Sequence, residues 1–207
     1  MQPFLCETGI AAPLEGRNID TDQIVPARFL KVDRSKGYGR IFFHDLRFDA
    51  DGKEHADFIL NQEPFQRASV LVADVNFGCG SSREAAVYAL ADFGIRAVIA
   101  PSFGDIFYNN CLKNGIVPVR LDEDVVTRLR ANLRDGADRM VTVDLQNLSV
   151  TLPGGERHAF AIDPFWRDCL LKGVDDLELT LSHEQDIQRF EARYYAEMPW
   201  ARVPGVS

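Results

Sequence analysis

Residues 77–84, Phe-Gly-Cys-Gly-Ser-Ser-Arg-Glu, combine groups that can bind a carboxylate and act on it. The two glycines permit a tight turn with exposed backbone amides. Two hydroxyls and a guanidinium follow at once, from Ser81, Ser82 and Arg83. A strand-like run precedes this segment and a helix-like run follows it, and the amides at a helix start favour negative charge. The segment therefore predicts a receptor for a carboxylate.

The same residues also have a purely structural interpretation. Ser81 and Glu84 have the spacing of a capping box, in which the serine caps a helix and the glutamate reaches back. The glycines would then only form the turn. The two interpretations are compatible, because a capped helix start can orient an exposed hydroxyl.

Other glycine-loop sites fit this segment less well. A dinucleotide-binding loop has a third glycine where this chain has Arg83, and no Gly-Lys-Ser/Thr triplet of a P-loop occurs. Cys79 as a nucleophile would need a histidine partner, and none of the four histidines has a recognisable setting. Those histidines are His44, His55, His158 and His183.

Length and charge narrow the class of protein. The 207 residues fit one domain, and 46% hydrophobic and 26% charged residues are ordinary for a globular protein with a core. The 23 basic and 31 acidic residues give a net charge of −8, without a basic stripe, which argues against nucleic acid as a partner. An acidic chain that binds an anion needs local positive charge, and Arg83 is the candidate.

The cysteines and the apolar runs predict a cytoplasmic protein. Cys6, Cys79, Cys111 and Cys169 form no C-x-x-C pair, so neither zinc nor an iron–sulfur cluster finds its usual local ligands. Reduced thiols are the simplest interpretation. No apolar run approaches the roughly 20 residues of a membrane helix, and the N-terminus lacks the features of a signal peptide.

The middle of the chain alternates between strand and helix patterns, whereas the first third reads as irregular. Alternation of this kind predicts right-handed crossovers and a parallel sheet in an α/β fold. The predicted strands are 70–73, 97–100 and 116–119, with helices at 84–93, 104–114 and 123–133. A hairpin at 141–143 and 148–152 and helices at 164–172 and 184–197 follow, and 199–207 should be frayed. We expect a domain of residues 1–160 and a helical extension of 161–207 packed on it.

Several spaced motifs resemble the swivel domain of the aconitase superfamily, and most closely the family of 3-isopropylmalate dehydratase small subunits. The resemblance covers roughly residues 7–195. Besides the glycine loop it includes an N-x-D-T-D-x-I-x-P segment at 18–26 and matching segments at 34–39, 45–48, 101–110, 162–165 and 179–181. The resemblance implies a β/β/α swivel domain with a parallel-strand core.

The resemblance also implies an activity and a partner. Members of the family are hydro-lyases that interconvert 2-isopropylmalate and 3-isopropylmalate through isopropylmaleate in leucine biosynthesis. Their [4Fe–4S] cluster is held by three cysteines of a different domain. A large subunit must therefore supply the cluster, and this chain alone should be inactive and hold no metal.

The matched motifs assign roles to individual residues. Ser81 matches the base that removes the proton next to a carboxylate, and Asp22 matches a catalytic aspartate. Arg83 matches the clamp on a substrate carboxylate, and Ser82 an assisting hydroxyl. An arginine can hold a carboxylate in a bidentate fork that a lysine cannot form.

Substrate identity is less constrained. Arg34 lies in the 30–39 loop, where family members recognise the substrate side group, so it is a candidate contact, although a loop arginine is also a common solvated residue. Many relatives have a histidine after the S-S-R-E motif, where this chain has Ala85. A related hydro-lyase acting on a methyl- or dimethyl-substituted malate is the alternative. A non-catalytic anion-binding or regulatory module is a second alternative.

Overall fold

The structure is a computed structural model that describes residues 1–202, apart from the side chain of Asp176. The last five residues of the predicted extension, 203–207, lie outside the described residues. Contacts divide the chain into a unit spanning Met1–Gly173 and a second unit that begins at Val174. The sequence-based prediction placed this division near residue 160 and assigned the helix at 164–172 to the extension. In the structure that helix belongs to the first unit.

The first unit is built on a seven-stranded sheet with the order β4-β3-β2-β1-β5-β6-β7. Strands β1 to β4 pair in parallel and β5 to β7 join antiparallel, which agrees with the predicted α/β core with additional β-structure. The strands are β1 Cys6–Pro13, β2 Val70–Val72, β3 Ala97–Ala100, β4 Val117–Arg120, β5 Met140–Asp144, β6 Ser149–Thr151 and β7 Arg157–Ala159.

Strand β1 joins the parallel and antiparallel halves of the sheet. It pairs in parallel with β2, where Ala11 lies opposite Val70, and antiparallel with β5, where Thr8 lies opposite Thr142. The prediction of an irregular first third is therefore wrong for this segment. Its Gly-Ile-Ala-Ala core has little of the β-branched character that marks a strand, so pairing on both sides, rather than local propensity, determines its conformation.

The helices lie mostly where the sequence patterns predict them. The first unit contains α1 Thr21–Ile24, α2 His44–Arg47, α3 Glu84–Phe93, α4 Asp105–Lys113, α5 Glu123–Asp135 and α6 Pro164–Lys172. The second contains α7 Asp176–Ser182 and α8 Glu184–Glu197. None of the helices within residues 1–202 is long and apolar enough to cross a bilayer.

Helix α3 follows the glycine loop directly, and its two ends differ. Gly94 ends it in the left-handed conformation, with φ +112°, and its amide donates to the carbonyls of Leu90 and Ala91. At the start, Arg83 is the extended residue before the helix, and no side chain caps it. The predicted capping box of Ser81 and Glu84 is therefore wrong, because the helix begins two residues too late for Ser81 to cap it.

Two apolar layers cover the faces of the sheet. Side chains alternate along β2, so Leu71 packs with α3 on one face and Val70 and Val72 with α5 on the other. Leu90 of α3 and Leu129 of α5 are each nearly inaccessible to solvent. Because α3 is held against a buried sheet, the glycine loop that leads into it ends at a fixed position.

Candidate functional site

The glycine loop and the D-T-D segment are held together by backbone hydrogen bonds. The Gly78 amide donates to the Ile19 carbonyl at 2.8 Å, and the Thr21 amide donates to the Cys79 carbonyl at 2.9 Å. The Thr21 hydroxyl adds a bond of 2.8 Å to the Ser81 carbonyl. Two segments about 60 residues apart in sequence, both named by the matched motifs, thus lie against each other and form one candidate site.

Close packing explains the glycine at position 78. Its φ is +71°, and a Cβ placed there would lie 2.2 Å from the Phe107 ring of α4. A Cβ on Gly104 would similarly lie 2.6 Å from the Gly78 carbonyl oxygen. The loop is therefore wedged between the D-T-D segment and the start of α4, and neither glycine could carry a side chain without displacing backbone or ring.

Ser81 and Ser82 are exposed at the end of this loop. The Ser81 carbonyl is fixed by Thr21, but its hydroxyl has no hydrogen-bond partner within residues 1–202. The serine backbone is thus fixed while its hydroxyl remains available to a ligand. An alkoxide at this position would need stabilisation by cations and amides, because a serine hydroxyl is a weak nucleophile and base without an activating group.

Arg83 and Asp22 form an ion pair at the base of the loop. Arg83 Nη1 donates to Asp22 Oδ1 and also to the Val25 carbonyl, the latter at 3.2 Å. The Arg83 side chain is only 17% exposed, whereas that of Asp22 is 56% exposed. Within the described residues the hydrogen bonds of Arg83 use Nη1 alone. Its Nε and Nη2 groups therefore remain able to bind a carboxylate in a bidentate fashion.

The Asp22 carboxylate is held in its ionised form. The hydrogen bond from Arg83 lowers the pKa of Asp22, and the Ala27 amide, which donates to Asp22 Oδ1 at 2.9 Å, lowers it further. A carboxyl group with a lowered pKa is a poor proton donor at neutral pH. The geometry therefore favours Asp22 as the residue that orients Arg83, rather than as an acid.

Arg34 lies apart from this pair. It begins a short 3-10 turn, Arg34–Lys36, and its guanidinium stacks 3.4 Å above the Tyr88 ring of α3. No hydrogen bond or ion pair in the described part of the chain links it to Asp22 or Arg83. Of the five predicted site residues, four thus lie at the glycine loop and its partner segment, and Arg34 lies on the side of α3.

Sequence reasoning missed two features next to the site. Thr21, which bonds to the loop, is only 3% exposed and is identifiable in sequence only as the middle residue of the D-T-D segment. Arg28 pairs with Asp45, with Nη1 donating to Oδ2 at 2.7 Å, and this bond lowers the pKa of Asp45 to about 2. Asp22, Arg28 and Asp45 line the same cavity of about 380 Å³.

The cysteines do not fit an iron–sulfur cluster. Cys6 lies on β1, Cys79 in the glycine loop, Cys111 in α4 and Cys169 in α6. Within residues 1–202 no group of three histidine, cysteine or acidic side chains could hold a metal ion. Burial raises the pKa of Cys79, and the charge of Asp20 raises it further, so this thiol also does not fit a thiolate ligand or nucleophile.

Three family models match successive parts of the chain. The model described as Aconitase C-terminal domain matches residues 1–124. The model described as LeuD_N matches residues 127–164, and a model of the C-terminal domain of the 3-isopropylmalate dehydratase small subunit matches residues 179–201. The first of these covers more than half of the chain and agrees with the predicted swivel-domain fold.

Similar proteins match over nearly the whole length. The chain is 52% identical over 201 residues to the 3-isopropylmalate dehydratase small subunit of Rhodospirillum centenum, covering 97% of this chain and 99% of that protein. It is 48% identical over 200 residues to that of Paracoccus denitrificans, covering 97% and 100%. A crystal structure of 3-isopropylmalate dehydratase from Methanocaldococcus jannaschii matches with a TM-score of 0.64 and 26% identity, covering 90% of this chain and 99% of that one. This chain belongs to the 3-isopropylmalate dehydratase small-subunit family, within the aconitase superfamily.

Proposed function

We propose that this chain is the small subunit of a 3-isopropylmalate dehydratase, a hydro-lyase of leucine biosynthesis. The reaction interconverts 2-isopropylmalate and 3-isopropylmalate by dehydration and rehydration through isopropylmaleate. The observation that carries the proposal is that the glycine loop and the D-T-D segment are bonded together, with Arg83 paired to Asp22. Ser81, whose hydroxyl has no partner within residues 1–202, lies two positions before Arg83 on the same loop. This arrangement supports a carboxylate clamp at Arg83 beside a proton acceptor at Ser81.

Each residue of the site has a role in this proposal. Ser81 removes the proton next to a substrate carboxylate, and Ser82 assists by hydrogen bonding. The free edge of Arg83 binds that carboxylate and offsets the negative charge that develops there as the proton leaves. Asp22 orients Arg83 through Nη1 and stays ionised while doing so.

The dehydration also requires a partner. Members of the superfamily use a [4Fe–4S] cluster, which the described cysteines of this chain do not fit. We therefore assign the cluster to a large subunit and the proton and carboxylate chemistry to this chain. The active site would then lie at the interface of a heterodimer or higher assembly. A biosynthetic role and free thiols suit the cytoplasm.

A related hydro-lyase acting on another 2-substituted malate is the second candidate, and Ala85 favours it. Many relatives have a histidine at that position, next to the catalytic motif. In this structure Ala85 is the second residue of α3 and is half-buried, so it offers no polar group to the substrate. The absence of the histidine leaves the proposed Ser81 base and Arg83 clamp unchanged, but it removes one group that could distinguish substrates.

The experiment that separates the two candidates uses the assembled enzyme. The chain is purified anaerobically with its cognate large subunit, and the absorbance of the unsaturated product is followed from 2-isopropylmalate and from 2-methylmalate. A higher kcat/KM for 2-isopropylmalate would support the leucine-pathway assignment. A preference for 2-methylmalate would support the second candidate, and no turnover of either by a cluster-loaded complex would contradict both.

A further inference from the structure

The loop of residues 33–39 lies along helix α3, the same helix that begins at the glycine loop. Three residues of α3 spaced by four, Glu84, Tyr88 and Asp92, form one stripe on its surface. The loop contacts this stripe at Asp92, through the Tyr38 amide, and at Tyr88, through both Arg34 and the Tyr38 ring. The stripe therefore connects the loop to the catalytic motif through a single rigid element.

The second half of the loop is attached to the far end of the stripe by its backbone. The Tyr38 amide donates to Asp92 Oδ2 at 2.7 Å, and the Tyr38 hydroxyl donates to the Val32 carbonyl at 2.7 Å. A Cβ on Gly39 would lie 2.8 Å from the Asp92 carbonyl oxygen, so the two backbones are in close contact. This end of the loop is fixed without any contribution from Arg34.

The first half of the loop is attached through Arg34. Its guanidinium lies 3.4 Å from the centroid of the Tyr88 ring, a stacked cation–π contact. Asp33 accepts a hydrogen bond from the Ser35 amide at 2.9 Å and starts the turn that carries Arg34. Gly37, with φ +76° and no atom within 4 Å of a notional Cβ, separates this attachment from the one at Asp92.

The aromatic partner is itself held in place. The Tyr88 ring is half-buried, packs against the apolar layer, and lies 6.3 Å from the Tyr38 ring, centroid to centroid. Glu84, one turn before Tyr88 on the stripe, accepts a hydrogen bond of 3.1 Å from the side-chain amide of Asn114, at the end of α4. The ring therefore offers a fixed surface on which a loop residue can stack.

We infer that Arg34 is a positioning residue that stacks on Tyr88 and holds the 33–39 loop against α3, rather than a residue that binds substrate. The inference deepens the proposed function and rests on it for the kinetic consequence alone, since the attachment itself is a property of this chain. The loop would then recognise the substrate side group through its conformation, which Arg34 and Tyr88 maintain together.

Limited trypsin digestion of the full chain tests the attachment without any need for activity. The rate of cleavage after Lys36, in the loop, is compared with the rate after Arg128 on α5, by mass spectrometry. Cleavage of a transiently open segment follows its open population. Loss of an exposed cation–π contact should therefore raise the Lys36 rate in Tyr88→Leu about two- to fivefold, with the Arg128 rate unchanged.

Two variants make this digestion decisive. Tyr88→Phe keeps the ring face and should keep the wild-type rate at Lys36. Arg34→Gln should raise that rate, but no more than Tyr88→Leu does, because Tyr88 also contacts the Tyr38 ring. Equal rates at Lys36 in all four proteins would overturn the inference. A parallel rise at Lys36 and Arg128 in Tyr88→Leu would also overturn it, because Tyr88 would then stabilise the whole fold rather than the loop.

A double-mutant cycle in the assembled enzyme tests the positioning role. Arg34→Gln and Tyr88→Leu should each raise KM for 2-isopropylmalate with little change in kcat. The double variant should resemble Tyr88→Leu, which already removes the surface on which Arg34 stacks. A larger effect of Arg34→Gln, additive with that of Tyr88→Leu, would instead mean direct substrate contact and overturn the inference. Inactivity of every complex, including the wild type, would contradict the proposed function and leave the digestion result standing.

Discussion

At the scale of single residues, the site depends on an arginine whose two edges are used differently. Nη1 of Arg83 is bound to Asp22 and Val25, and its remaining edge is unpartnered within residues 1–202. An arginine that is already oriented loses less side-chain freedom when a carboxylate binds. The exposed Ser81 hydroxyl lies on the same loop, two residues before Arg83. Under the proposed function, the substrate carboxylate would meet Arg83 and its neighbouring proton would meet Ser81.

Replacement of Ser81 by alanine should nearly abolish turnover. Loss of a general base typically costs a factor of about 10²–10⁴ in kcat, and the Ser81 side chain supports no described contact that would weaken the fold. Steady-state kinetics of the assembled enzyme measure the loss of turnover, and size-exclusion chromatography checks that the variant still assembles with the large subunit. Ser82→Ala is the matched control and should lose less activity. Wild-type kcat in Ser81→Ala would exclude this serine as the base.

Replacement of Arg83 by lysine should mainly weaken substrate binding. Lysine keeps the charge but loses the fork, and hydrogen bonds to charged groups contribute about 1.5–3 kcal/mol, so KM should rise roughly tenfold or more. Asp22→Asn is the companion variant, which keeps the Arg83 fork but removes the charge that orients it, and it should raise KM less. An unchanged KM in Arg83→Lys would contradict the clamp.

Much of the site was predictable at this scale, for a specific reason. Ser81, Ser82 and Arg83 are adjacent in sequence, and the matched N-x-D-T-D segment identifies Asp22. The direct contact between Asp22 and Arg83 was not predictable, because the two residues are 61 positions apart and meet only through the loop packing around Gly78. The stacking of Arg34 on Tyr88 was likewise not predictable from the sequence of the 33–39 loop or of α3 alone.

At the scale of elements, local signals identified most helices but missed the central strand. Helix α3 has a glycine stop that reads directly from sequence. Strand β1 has no such signal, since its small residues are buried by neighbours that come about 60 and 130 residues later. The capping-box prediction failed at Ser81, while a capping box does occur at Asp20, where the side chain binds the amides of Asp22 and Gln23.

A charge network anchors the segments that lead into both halves of the site. Arg130 of α5 is 7% exposed and donates to Asp74 Oδ2 at 2.6 Å and to Glu15 Oε2 at 2.5 Å. Glu15 follows β1 and Asp74 follows β2. Burial raises the pKa of Asp74, but hydrogen bonds from the Val75 amide and Arg130 outweigh it and leave the pKa below its ordinary value.

Replacement of Arg130 by methionine should therefore destabilise the fold by about 1–3 kcal/mol near neutral pH. Because the pKa of Asp74 is lowered on folding, its contribution is present above about pH 4 and is lost as the pH falls through the folded-state value. The difference between wild type and variant, measured by urea denaturation, should shrink in acid. Arg134→Met, whose partner Glu15 is largely exposed, should cost less than about 1 kcal/mol. A larger loss in Arg134→Met than in Arg130→Met would contradict this assignment.

At the scale of the whole molecule, the chain matches its relatives from end to end, yet its described residues do not fit the cluster of the superfamily. Because its net charge is −8, binding of the proposed dicarboxylate substrate would depend on local positive charge such as that of Arg83. Under the proposed function, this chain would contribute the base and the clamp to a dehydratase site shared with a partner. The rest of that site should come from a large subunit.

The most direct test is a titration of this chain into a fixed amount of its cluster-loaded large subunit under anaerobic conditions. The initial rate of isopropylmaleate formation from 2-isopropylmalate is measured at each ratio. We expect no turnover by either subunit alone and a rate that rises and then saturates as this chain is added. Turnover by the large subunit alone, or a rate independent of this chain, would contradict the claim that it contributes the base and the clamp.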